Sequence, residues 1–103
     1  MLNLKEFEKL EEFLKENEVS YEKFESNELF FEKHILFVPN REHPSWDAAI
    51  TTGTYGSSEG LLEICGDIVE KDEDDSYYSE VEGYLTADDV IRKLFWMHMQ
   101  YNE

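Results

Sequence analysis

Cysteine, basic residues and long apolar runs are all scarce in this sequence, and each scarcity removes a class of explanation. Cys65 is the single cysteine among 103 residues, so no internal disulfide can staple the fold, and one thiol without cysteine partners is a poor start for a structural zinc site. A reducing compartment follows. No apolar stretch approaches the length that crosses a bilayer. The opening Met-Leu-Asn-Leu-Lys-Glu-Phe-Glu brings in acidic residues almost at once, which fits neither a secretory signal nor a transit peptide. The expectation is a cytoplasmic protein.

Lysine and arginine number 9 against 25 aspartates and glutamates, a formal net charge of −16. The imbalance is uneven. Residues 1–41 hold six bases and ten acids, residues 42–91 hold Lys71 against fourteen acids, and the last twelve residues come to +1. Such a field repels nucleic acid and anionic membranes. It attracts basic partners, cations, and the basic grooves that normally hold nucleic acid. Hydrophobic residues make up 41% and aromatics 15%, enough to build one core in a chain of this length, so high charge does not here mean disorder.

Asn3 followed by Glu6 is an Asn form of the capping box, and Leu4, Phe7, Leu10, Phe13 and Leu14 recur at helical spacing to about Asn17. From Val19 to Val38 the pattern turns to aromatic and β-branched runs, read as two or three antiparallel strands with Ser26-Asn27 as a turn. Pro39-Asn40 ends the last of these. A loop over residues 41–45 precedes a further strand, Trp46 to Thr52, which stops at Gly53.

Ser57 or Ser58 can cap a second helix, in which Leu61, Leu62, Ile64, Cys65, Ile68 and Val69 share one face. In that reading Cys65 is a buried, unreactive core residue. Residues 70–82 are too polar and like-charged for an element interior and read as a surface loop. Thr86-Ala-Asp-Asp89 resembles a capping box that opens a last helix with Ala87, Val90, Ile91, Leu94, Phe95 and His98 inward. The expected fold is α+β in a single domain over residues 1–103. It has an N-terminal helix, a small antiparallel sheet of three to four strands, and two C-terminal helices separated by an acidic loop.

Conventional chemistry finds little footing. His34, His43 and His98 lie far apart and none has an i, i+4 partner. Gly53-Thr-Tyr-Gly-Ser-Ser-Glu-Gly60 lacks the lysine of a phosphate loop, and Glu59 would repel phosphate. Asp72, Asp74 and Ser76 have the first spacings of a calcium loop, but Tyr77 and Gly83 stand where glycine and glutamate are required. No cofactor, metal or catalytic set is expected.

Two features are more informative. On the second helix Glu59, Glu63, Asp67 and Glu70 would form a single acidic stripe, extended by Asp72, Glu73, Asp74, Asp75, Glu80 and Glu82. It is either a solubility face or an imitation of a run of phosphates that occupies a basic groove. In the last helix Trp96, Met97 and Met99 widen the apolar arc. They suit either the core or a surface for a partner or a second copy.

The stretch Tyr55-Gly-Ser-Ser-Glu-Gly-Leu-Leu-Glu-Ile-Cys-Gly66, followed by Val81-Glu-Gly-Tyr-Leu-Thr-Ala-Asp-Asp-Val-Ile91, resembles small acidic uncharacterised proteins of phages and prophages of Gram-positive bacteria. The likeness covers about the C-terminal half and brings no catalytic residues. It implies a setting in a bacterial host cell, where small acidic phage proteins include inhibitors of host defence that act as nucleic-acid mimics. The expected function is a non-enzymatic accessory protein that binds and inhibits a nucleic-acid-handling protein through its acidic surface, without touching nucleic acid or membrane itself. The alternative is a structural or assembly adaptor that docks or dimerises through Trp96 and Met99.

Overall fold

The computed structural model describes residues 2–54, 56–69 and 81–101, with side chains to Phe95 in the last helix. Helix α1 spans Lys5–Glu16 and turns Phe7, Leu10 and Leu14 inward, the i, i+3, i+7 spacing that its sequence announces. The Asn3 side chain accepts a bond from the Lys5 N–H at 3.0 Å, satisfying one of the open amides of the first turn. At the other end Glu18 takes the left-handed φ of +54°. The Val19 N–H returns to the Leu14 carbonyl at 2.9 Å, closing the helix.

Five strands follow, β1 (Glu22–Glu28), β2 (Phe31–Val38), β3 (Trp46–Thr51), β4 (Leu62–Gly66) and β5 (Val81–Leu85). They pair antiparallel in chain order, β1-β2-β3-β4-β5. Alternation decides the faces. His34, Leu36 and Val38 on β2 lie opposite Ile50, Ala48 and Trp46 on β3, and Ala48 in turn lies opposite Ile64 on β4. All seven are buried, and they meet Phe7, Leu10 and Leu14 of α1 and Ala87 and Val90 of helix α2 (Ala87–Tyr101). Both helices therefore cover one face of the sheet, and the core lies between them and it.

The α+β class holds, but the detail expected from sequence does not. The sheet has five strands rather than three to four, and one C-terminal helix follows it rather than two. The span read as a second helix is a 3-10 turn, Ser57–Glu59, and then β4. Leu62 and Ile64 point into the core while Glu63 and Cys65 point away, so Cys65 is half-buried on the helix-free face rather than a core residue. Gly66 ends the strand at φ +102°, with the Ser45 carbonyl only 2.5 Å from where a Cβ would stand. A helix cannot pass through that position, and the glycines at 60 and 66 leave a segment of strand length between them.

The hairpin between β1 and β2 turns at Leu29-Phe30, so the expected turn at Ser26-Asn27 lies inside β1. Val81 and Glu82, read as loop, begin β5, and the remainder of that loop falls outside the described residues.

Candidate protein interaction surface

Of the acidic residues singled out in the sequence, the four described, Glu59, Glu63, Asp67 and Glu82, do not lie on one helix. Glu59 is exposed on the 3-10 turn, Glu63 is half-buried on β4 opposite Ala49, and Asp67 is exposed in the turn after β4. The helical stripe is thereby overturned, because Glu59, Glu63 and Asp67 follow a 3-10 turn, a strand and a further turn instead of a 100° helical step. Glu70, Asp72, Glu73, Asp74, Asp75 and Glu80 lie outside the described residues. Glu82 lies opposite Ile64 on the helix side of the sheet, where its carboxylate accepts from Lys93 Nζ of α2 at 3.0 Å. Trp96 and Met99 belong to α2, but their side chains are outside the description.

A polar lattice that the sequence reading missed links α1 to the edge strand. The Glu11 carboxylate, nearly covered, accepts from the Tyr21 hydroxyl at 2.8 Å and from Lys23 Nζ at 3.2 Å. Burial acts to raise the Glu11 carboxyl, but these bonds and the charges of Lys23 and Lys15 outweigh it and hold it below its ordinary value. Tyr21 is pushed up to about 12, first by burial and then by its bond to Glu11. Lys23 also reaches Glu25 at 3.7 Å.

Glu25 in turn lies 2.6 Å from His34 Nδ1, and Glu32 lies 3.2 Å from His34 Nε2. The two carboxylates thus flank the ring, one at each nitrogen. The ring packs edge-on against Phe7, with centroids 5.7 Å apart. Glu32 is held below the ordinary carboxylate range by His34 first, with help from the Leu2 N–H against some burial. His34 thus serves as a tie between β1, β2 and α1. Among the described residues no group of three histidine, cysteine, aspartate or glutamate side chains is placed to hold a metal ion.

The face of the sheet opposite the helices has a different character. Phe24, Ile35 and Ala49 line up across three strands, and Phe37, Asp47 and Cys65 form a parallel row beside them. All six are half-buried. Arg41 lies over the Phe24 ring at 4.4 Å and its backbone N–H donates to Glu22 at 3.2 Å, a cation held against an aromatic face. Asp47 is held above the ordinary carboxylate range, first by burial and then by the charge of Glu63. The signal for this face was present in Ile35-Leu36-Phe37-Val38, where apolar residues occupy both parities of one strand. Such a strand has apolar groups on both sides of its sheet.

At the end of this face stands the β1–β2 hairpin tip. Leu29 is 95% exposed, Phe30 91% and Phe31 58%. Phe31 lies opposite Glu28 and shares the helix-free face with Phe24 and Ile35. Exposed single apolar residues need no explanation, whereas three in succession at a turn form a contiguous exposed apolar patch. An apolar concavity, a shallow groove of about 310 Å³, opens between the helix ends and β3, lined by Phe13, Asn17, Val19, Trp46, Leu94 and Phe95.

No family model matches the chain, and neither curated proteins nor solved structures give a match. Geometry and charge alone therefore carry the functional reading. Among the described residues the surface is apolar at the hairpin tip and half-apolar on the helix-free face, with exposed carboxylates around them.

Proposed function

We propose that this protein is a non-catalytic, phage-type accessory protein that occupies the basic, nucleic-acid-binding surface of another protein and blocks it. The observation that carries this reading is the balance of charge, 25 acids against 9 bases. Many of the bases are already engaged. Lys9 lies on Asp88, Lys15 and Lys23 on Glu11, Arg92 on Asp89 and Lys93 on Glu82, while Arg41 covers Phe24. The carboxylates that remain outward include Glu8, Glu12 and Glu16 on α1 and Glu22 and Glu28 on β1. In place of a single helical stripe, the mimicry rests on carboxylates spread over a helix, an edge strand and the turns flanking β4. Such a field draws in a basic protein and holds off nucleic acid and anionic membrane.

The test is capture from a bacterial lysate on the immobilised protein, followed by competition with labelled DNA or RNA for the purified captured protein. Raising salt from about 50 mM to about 200 mM should weaken the complex by at least about tenfold, as phosphate-like contacts require. The chain should displace the nucleic acid. A complex that is insensitive to salt, or one in which nucleic acid stays bound, would overturn the proposal.

A further inference from the structure

We propose that the β1–β2 hairpin tip is the element that enters the partner, with Leu29, Phe30 and Phe31 seated in an apolar pocket rimmed by lysine or arginine. This rests on the reading that the partner is basic, and it names the contact. The loop between Glu28 and Phe31 has two residues, and Leu29 holds a φ of +53°. Two-residue hairpin turns that need a positive φ favour glycine or asparagine, because a Cβ is crowded there. Leucine at that position strains the backbone and exposes an apolar side chain, so nothing in the fold accounts for it. Strain and apolar exposure coincide at one turn.

The tip is also held rigidly. Seven residue pairs set the register of β1 on β2, the His34–Glu25 contact ties the two strands midway, and the Glu32 N–H donates to the Thr52 hydroxyl at 3.0 Å. A fixed apolar projection loses little freedom on docking. Its surroundings select the occupant. Glu28 lies opposite Phe31 on the helix-free face, Glu25 and Glu32 lie on the other face against His34, and Lys33 is the base of this hairpin end. At a net charge of −16 a second copy of the chain and an anionic bilayer are both repelled. An apolar pocket with a cationic rim is attracted to the tip and its carboxylates together.

The experiment places a photoreactive benzoylphenylalanine at Phe30, and at exposed His43 as control, irradiates each in a bacterial lysate, and identifies the adduct by mass spectrometry. The purified partner is then titrated with the wild-type chain, with Leu29→Gly/Phe30→Asn, and with Glu22→Lys/Glu28→Lys. An adduct from position 30 and a loss of about tenfold or more for the tip variant are expected, the size of a central contact, with a melting temperature unchanged or raised. No adduct at position 30, or a smaller loss, would overturn the proposal. So would a lowered melting temperature, since the tip would then pack on its own fold. A concentration-dependent dimer in sedimentation that the tip variant abolishes would also overturn it, in favour of self-association. Loss of binding by the tip variant in a complex indifferent to salt and to the Lys variant would retain the tip as the contact and reject the basic partner.

Discussion

Asp47 and Glu11 are both partly covered carboxylates, yet their surroundings drive them in opposite directions. Asp47 sits between Phe37 and Cys65 across the sheet, where burial and Glu63 raise its pKa. A raised carboxyl adds stability that is complete below its unfolded pKa and is lost as pH rises through the folded value. Asp47→Asn should therefore raise the melting temperature at neutral pH, and the gain should vanish toward about pH 3. Glu11 behaves the other way. Its lowered pKa adds stability that is present above the unfolded value and lost as pH falls through the folded one. Glu11→Gln should lower the melting temperature at neutral pH, with the penalty shrinking in acid. Thermal melts of both variants across this range are the measurement, and parallel profiles would contradict the two assignments.

The helices are stabilised at their ends as much as by their faces. Thr86 and Asp89 bond reciprocally, with the Asp89 N–H donating to the Thr86 hydroxyl at 3.1 Å and the Thr86 N–H to the Asp89 carboxylate at 3.0 Å. That is the capping box the sequence suggested, and it holds the Asp89 carboxyl below its ordinary value. Glu6, the expected partner within α1, instead accepts from the Ala87 N–H of α2 at 2.8 Å. One carboxylate of the first helix thus caps the last, where a negative charge meets open amides and the positive end of the helix dipole. Glu6→Ala should cost about 1 kcal/mol in urea unfolding. Glu8→Ala, on the exposed side of the same helix, should stay within about 0.5 kcal/mol. Equal effects would remove Glu6 from the cap.

For the whole molecule, self-repulsion is the dominant electrostatic fact. The exposed ion pairs, such as Lys9 with Asp88, contribute little each, whereas a net charge of −16 on 103 residues opposes the compact state throughout. Adding salt should therefore stabilise the fold. The melting temperature should rise between about 10 mM and about 150 mM sodium chloride as the screening length shortens. A fall over that range would mean that attractive pairs outweigh repulsion, and would weaken the argument that the exterior field is available to a partner.

The sequence by itself determined the net charge, the absence of any internal disulfide, the two helices whose apolar spacing runs over several turns, and the alternation of β3. Each of these is a property of composition or of a pattern long enough to have one period. The residues 61–66 are different. Their four apolar residues, Leu61, Leu62, Ile64 and Cys65, satisfy a helix and a strand equally, and the choice fell to hydrogen-bond partners on β3 and to the Ser45 carbonyl packed against Gly66. The turn at Leu29-Phe30 was hidden for a related reason, since neither residue is one that turns favour and its place follows from the register of β1 on β2. The partners of Glu6 and His34 were likewise decided in three dimensions. Ala87 lies 81 residues from Glu6, and the edge strand must fold back before Glu25 can reach the imidazole. Periodicity carries information only over neighbours, whereas a sheet and a cap shared between two helices are built from distant parts of the chain.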